Sequence, residues 1–394
     1  MKISEKARNA LYIGTLCSVS YLAVYFVRNI LSAVTPKMVG LGFTEEYIGT
    51  LSSAYFVFYA VGQLINGMIG DKIKAKYMLS LGLLFAGIMN LVFSRVADIP
   101  GTSLLAYGLS GFSLAMIYGP MTKTVAENTD PILATRCSVG YTFASFFGSP
   151  IAGIAAAFLA WESVFFVGSG ALALMAVVVF MFFTIFEKKG IVKYNQYKKE
   201  KEKGSIKVLI EHQIIKFSLI SMITGIVRTA VVFWLPTYIS QHLGFSEEKA
   251  ALLFTVTTLA ISTNTFIAVF VFEKLRRKID LTLIIMFSVA VVSFLLAYLV
   301  SQPALNLIFM VLAVMGSNGA ASMLWSYYCP SLRDTGMVSS ATGFLDFLSY
   351  IAAAVSSSAF ANAVSGIGWG NLILVWMGLA VCGLLVSIPY KKIR

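Results

Sequence analysis

The chain has 394 residues, of which 58% are hydrophobic and only 12% charged, whereas soluble domains carry about 25% charged residues; a water-soluble fold is excluded. The net charge of +12 is spread through short tracts between apolar runs, which signals membrane topology and argues against a nucleic-acid partner. Four single cysteines, Cys17, Cys137, Cys329 and Cys382, lack metal-ligand spacing and read as small packing residues.

Taking about 20 apolar residues per span, the pattern predicts an all-α membrane protein with twelve transmembrane helices near 10–34, 48–69, 77–95, 101–124, 133–160, 162–186, 214–240, 247–272, 281–301, 303–327, 337–364 and 370–390. The predicted plan is two pseudo-symmetric six-helix bundles, residues 1–186 and 214–394, joined by a cytoplasmic linker over 187–213. The first run, Leu11 to Val34, has no small-residue cleavage site and is longer than a signal-peptide core, so it is expected to stay as helix 1.

Helix 1 contains Tyr21-Leu22-Ala23-Val24-Tyr25-Phe26-Val27-Arg28-Asn29. An arginine at membrane depth costs about 2.5–3.5 kcal/mol on insertion scales and is normally kept where it faces a cavity or a partner. Tyr25 and Tyr21 precede Arg28 by three and seven residues and so share its helix face. The next loop, Leu41-Gly42-Phe43-Thr44-Glu45-Glu46, recurs 202 residues later as Leu243-Gly244-Phe245-Ser246-Glu247-Glu248. The second half therefore repeats the first in parallel orientation, a known plan of secondary transporters with the substrate site near the bilayer midplane.

Between helices 2 and 3 lies Gly67-Met68-Ile69-Gly70-Asp71-Lys72-Ile73-Lys74-Ala75-Lys76. Asp71, beside a helix end and flanked by Lys72, reads either as a conformational latch or as ordinary topology charge. The linker follows helix 6 with eight lysines and three glutamates over 187–207. In helix 7, Arg228 stands eight residues before Pro236, as Arg28 stands eight before Pro36, and Trp234 and Tyr238 come after it. Two arginines at matching repeat positions predict two planar forks that clamp the oxygens of an anionic small-molecule substrate, phosphate or carboxylate, with Tyr21, Tyr25, Trp234 and Tyr238 lining its organic part; pairing of the arginines with backbone carbonyls or Asp346 is the alternative. After helix 8, Glu273-Lys274 repeats Asp71-Lys72 at the same offset of 202 residues. Asp346, four residues before Tyr350 in helix 11, is the acid placed deep within a span, and it reads as a proton relay or as a structural ion pair.

With the N-terminus inside, cytoplasmic segments collect 25 of the 30 Lys and Arg, so both termini are expected in the cytoplasm of a plasma (inner) membrane protein embedded in the lipid bilayer. The sequence has no phosphate-binding Gly-rich loop and no His/Glu metal motif, so it predicts neither an enzyme nor a bound cofactor or metal.

The helix 2–3 loop resembles the signature of the major facilitator superfamily, with Lys74 standing where that signature usually has glycine. Through both halves the chain also resembles the organophosphate:phosphate antiporters, the glycerol-3-phosphate and hexose-phosphate transporter family. The stretches that carry the resemblance are the helix 1 segment quoted above, Arg228 followed by Trp234-Leu235-Pro236-Thr237-Tyr238, and Gly343-Phe344 leading to Tyr350. The resemblance implies that Arg28 and Arg228 are the paired phosphate ligands and that Pro120 and Lys123 match a proline and a basic residue in helix 4, with Lys123 and Gln63 among the expected substrate contacts. It also departs from the family: Asn29 and Gln63 stand where two lysines are common, and Ala144 where a histidine is. What it implies is alternating-access exchange of phosphorylated metabolites for inorganic phosphate by a monomer. The missing cations and Asp346 leave open a proton- or cation-coupled symporter of carboxylates or sugar acids, and a membrane sensor of organic anions is the alternative of another class.

Overall fold

The structure, a computed structural model, describes residues 4–194, 206–245 and 247–389. The middle of the predicted linker and Ser246 of the repeated loop lie outside them. In lipid the backbone must satisfy its own hydrogen bonds, and long apolar runs meet that demand as helices. Among the described residues, eleven helices are long and apolar enough to cross a membrane, and Ile214–Ile226 is a shorter apolar helix. The predicted all-α architecture is the one that forms.

Several spans are broken where the sequence predicts one helix. Helix 1 comprises Glu5–Arg28 and Ile30–Gly40, and helix 4 comprises Pro100–Leu114 and Tyr118–Asn128. Helix 7 continues from Ile214–Ile226 through a π turn at Val227–Val231, a short helix at Val232–Thr237 and a second π turn at Tyr238–His242. Helices 11 and 12 run on as Val338–Ser387, interrupted at Gly368, where φ is 76°.

The repeated Leu-Gly-Phe loop has a backbone reason. Gly42 and Gly244 both adopt positive φ, 99° and 73°, a region closed to most side chains. Each follows a helix end, with Phe43 N–H donating to Met38 O and Phe245 N–H to Ile239 O, so each glycine terminates its helix and turns the chain. In the first copy Thr44 then caps the next helix by accepting from Tyr47 N–H at 3.2 Å.

The chain forms two compact units, Met1–His212 with Ser326–Phe347, and Gln213–Trp325 with Leu348–Arg394. In the first, helix 3 packs on helices 4 and 6, helix 2 on helix 4, and helix 1 on helix 5. Because this unit includes the start of helix 11, it also holds a close crossing: a Cβ on Gly343 would come within 2.1 Å of Gln63 O and 3.0 Å of Gly67 Cα. Small residues allow backbones to approach in this way where no hydrophobic force separates helix from lipid. In the second unit helices 9 and 10 pack together, and Tyr238, Phe294, Trp369 and Trp376 anchor an apolar core.

Candidate functional site

Both intramembrane arginines sit at interruptions of their helices. Arg28 is the last residue of Glu5–Arg28, and Asn29 breaks the helix by turning its side-chain amide back to Tyr25 O at 2.6 Å. Arg228 lies in the π turn Val227–Val231, an element enriched at functional sites. The repeat thus preserves both the residue type and the local departure from α geometry.

In the first unit the guanidinium of Arg28 lies over three rings, Tyr59 at 4.9 Å, Tyr25 at 5.3 Å and Phe56 at 5.4 Å. The aromatic layer continues through Tyr21, whose ring is 4.9 Å from Tyr25, 5.4 Å from Tyr118 and 5.9 Å from Tyr141. Asp346 is buried in the same unit, within electrostatic reach of the Tyr21 and Tyr118 hydroxyls and of the Cys329 thiol. Gln63 is buried, and its backbone forms the helix 2 side of the Gly343 crossing.

In the second unit the ring of Tyr350 lies 5.9 Å from the Arg228 guanidinium. Trp234 is partly buried against the apolar core. Tyr238 is fully buried and donates its hydroxyl to Asn306 Oδ1, while Asn306 Nδ2 donates to Ala297 O at 2.6 Å and Val300 O at 2.9 Å. Those bonds tie helix 7 to the helix 9–10 turn, so Tyr238 is placed as an anchor of the bundle.

The helix 2–3 loop forms a second cluster. The Asp71 carboxylate accepts from Ser339 N–H at 2.9 Å and Ser340 N–H at 2.8 Å, in the first turn of Val338–Ser387. The first amides of a helix lack partners within it, and an anion there is favoured by the helix dipole. Asp71 thus caps helix 11 from a different helix. Burial pushes its carboxyl above the ordinary range, while the Ser340 hydrogen bonds, Lys123 and the Ser339 amide pull it back. Lys123 donates to Asp71 O at 2.7 Å and lies 3.8 Å from Glu127, so the structure sets it beside Asp71. Replacing Asp71 by asparagine removes the charge but keeps an acceptor. It is expected to weaken the cap by about 1 kcal/mol and slow transport several-fold, with Asp71→Ala slower still. Initial uptake rates of the two variants, normalised to membrane content, check this order.

Lys72 is exposed, and so is Glu273 at the end of helix 8. Lys74, in the signature's glycine position, has a role of its own: Lys74 and Lys76 each bind one oxygen of Glu187 at 2.5 Å, tying the start of helix 3 to the end of helix 6. The hydrogen bond to Glu187 raises the Lys74 ammonium above its usual range. Replacing Glu187 by glutamine leaves both lysines without a counter-charge. Because Lys76 is buried, a fall in melting temperature of a few degrees is expected on heating in detergent.

Tyr59 and Phe56 around Arg28, the Ser339 and Ser340 amides under Asp71, and the Glu187 bridge to Lys74 and Lys76 are not among the contacts expected from the sequence. Tyr55 and Tyr59, four apart on helix 2, were a visible signal of an aromatic face.

The family model of the Major Facilitator Superfamily matches residues 17–357. The phosphoglycerate transporter protein of Salmonella typhimurium is 24% identical over 406 aligned residues, covering 94% of this chain and 87% of the relative. The glycerol-3-phosphate transporter of Bacillus subtilis is 23% identical over 393 residues, covering 92% and 86%. Among solved structures, the proton:xylose symporter XylE matches with a TM-score of 0.75 at 11% identity, covering 96% of this chain and 95% of that one, a likeness of fold. These relatives match the resemblance drawn from Arg28, Arg228 and the helix 2–3 loop, and they identify a multi-pass membrane carrier and not an enzyme. The chain belongs to the Major Facilitator Superfamily.

Proposed function

We propose that the protein exchanges small phosphorylated metabolites for inorganic phosphate, with Arg28 and Arg228 as ligands of the phosphoryl oxygens. The observation that carries this reading is the repeat-matched pair of intramembrane arginines, each at a helix interruption and each beside aromatic rings. Ring faces attract a guanidinium by about 0.5–2 kcal/mol, and its planar fork matches two oxygens of a phosphoryl group. The names of the two full-length relatives, a phosphoglycerate and a glycerol-3-phosphate transporter, support a phosphorylated substrate. The remaining proposed substrate contacts are Tyr21, Tyr25, Gln63 and Trp234. Asp71, Lys72, Lys123 and Glu273 are assigned to the conformational cycle, and Tyr238 to the frame that holds helix 7. Both termini are proposed to be cytoplasmic and the working unit a monomer.

Asp346 favours a second reading, proton-coupled carriage of a carboxylate, because it is buried among tyrosines that could pass a proton. Proteoliposomes separate the two. Exchange predicts uptake that requires internal phosphate and ignores an imposed pH step, with Asp346→Asn keeping that phosphate dependence. Uptake into phosphate-free vesicles driven by a pH step, and lost in Asp346→Asn, would overturn exchange in favour of symport. Saturable ligand binding without any flux would assign the protein to the sensors.

A further inference from the structure

Away from the arginines, the first unit carries an apolar groove and a polar pocket that share a wall. The groove, about 370 Å³, runs between helices 1 and 5 over Ala7, Ala10, Gly14, Thr15 and Gly140, with Arg136 beside it. Its floor is recessed because the residues there are small, while Leu11 and Val19 stand out on its rim with 57% and 46% exposure. The pocket, about 400 Å³, is polar and lined by Lys6, Asn9, Asn128, Lys193 and Arg333, together with Glu127 and Asp130. Leu133 lines both, and the helix 1 residues Lys6 and Asn9 of the pocket alternate with Ala7 and Ala10 of the groove. The two spaces thus adjoin at Leu133, one apolar along helices 1 and 5 and the other polar at their ends.

Their combined charge is positive. Four cations, Lys6, Arg136, Lys193 and Arg333, face two acids, and each acid already has a cation near it: Glu127 lies 3.8 Å from Lys123 and Asp130 lies 3.8 Å from Lys6. A ligand that matches the two spaces has a flexible hydrocarbon chain joined to an anionic, hydrogen-bonding head. We propose that it is a binding site for an anionic phospholipid, one acyl chain lying in the groove over Gly14 and Gly140 and the phosphate held among Lys6, Arg136 and Lys193. Ordinary boundary lipid needs no recess and no cations, and this site supplies both. Such a lipid would touch the start of helix 1, the helix 4–5 turn and the beginning of the linker, where Asn128 already clamps Lys193 through N–H to Oδ1 at 2.7 Å and Nδ2 to O at 3.1 Å. The lipid would thus brace the linker against the first bundle.

The test is native mass spectrometry of the full chain released from detergent, titrated with phosphatidylglycerol or phosphatidylcholine of identical acyl chains. The expected result is tighter retention of phosphatidylglycerol, with Lys6→Gln and Arg136→Gln each weakening it about fivefold and leaving phosphatidylcholine unchanged. Thr15→Trp, which fills the groove, is expected to weaken both lipids, and Thr15→Val, similar in size to threonine, to weaken neither. A monodisperse, helical Thr15→Val protein confirms that the position tolerates substitution. Equal retention of the two lipids, wild-type retention in the charge variants, or displacement of phosphatidylglycerol by its soluble deacylated head group at equal concentration would each overturn the proposal.

Discussion

Arg28→Ala and Arg228→Ala are each expected to lower exchange of a phosphorylated substrate by on the order of 100-fold, and Arg→Lys at either position is expected to recover little of it. Truncating one partner of a buried, hydrogen-bonded charge pair costs about 2–5 kcal/mol, much of it the penalty of leaving the other charge buried without its partner. The lysine variants separate charge from geometry. An ammonium keeps the charge but lacks the planar fork that binds two oxygens at once and that here sits over the rings of Tyr59 and Tyr25. Membrane insertion should survive in both alanine variants, because removing an arginine from a span lowers the insertion cost by about 2.5–3.5 kcal/mol. Comparable protein yields with lost exchange support the assignment, and full exchange in either alanine variant contradicts it.

Gly343→Leu is expected to be the most damaging substitution outside the arginines. Its Cβ would fall 2.1 Å from Gln63 O and 3.0 Å from Gly67 Cα, both backbone atoms of helix 2 that cannot swing aside as a side chain does. Overpacking of this kind costs about 1–3 kcal/mol or more, which at 1.4 kcal/mol per tenfold corresponds to a loss of roughly 10- to 100-fold in the population of the arrangement. Separating the start of helix 11 from helix 2 also withdraws the Ser339 and Ser340 amides from Asp71. The variant should therefore slow transport and expose the capped turn. A cysteine at Ser340, in a chain whose exposed Cys382 is replaced by serine, reports it by its alkylation rate. Faster alkylation with Gly343→Leu is the expected outcome, and an unchanged rate together with wild-type transport would refute the crossing's role.

The helices were legible because a bilayer leaves an apolar run of about 20 residues little choice. The repeat was legible for a related reason, since a turn that needs positive φ at Gly42 and again at Gly244 keeps its glycine in both copies. Arg28 and Arg228 stood out through the cost of placing them in a membrane. What stayed hidden depends on contacts between helices. The rings of Tyr59 and Phe56 reach Arg28 from helix 2, and no spacing in helix 1 announces them. Asp71 drew attention as a possible latch, but its partners are the backbone amides of Ser339 and Ser340, which any residue type there except proline would supply. Lys123 entered among the proposed substrate contacts through resemblance, and the structure places it against Asp71 and Glu127. Tyr238 shares helix 7 with Arg228, yet its hydroxyl is held by Asn306 from helix 10. The breaks that present the arginines, at Asn29 and in the π turn Val227–Val231, also lay below the resolution of hydropathy, which sees helix 1 and helix 7 as uninterrupted.

Paired arginines that hold a phosphoryl group are what we propose makes this chain a carrier of phosphorylated anions. The most direct measurement is uptake of labelled glycerol-3-phosphate into phosphate-loaded proteoliposomes containing wild type, Arg28→Ala or Arg228→Ala, with glycerol and glucuronate as unphosphorylated competitors. Saturable uptake is expected in wild type, lost in both variants and competed away by inorganic phosphate but by neither unphosphorylated compound. Uptake by a folded wild type that glucuronate blocks and phosphate leaves untouched, or uptake that persists in both variants, would contradict it.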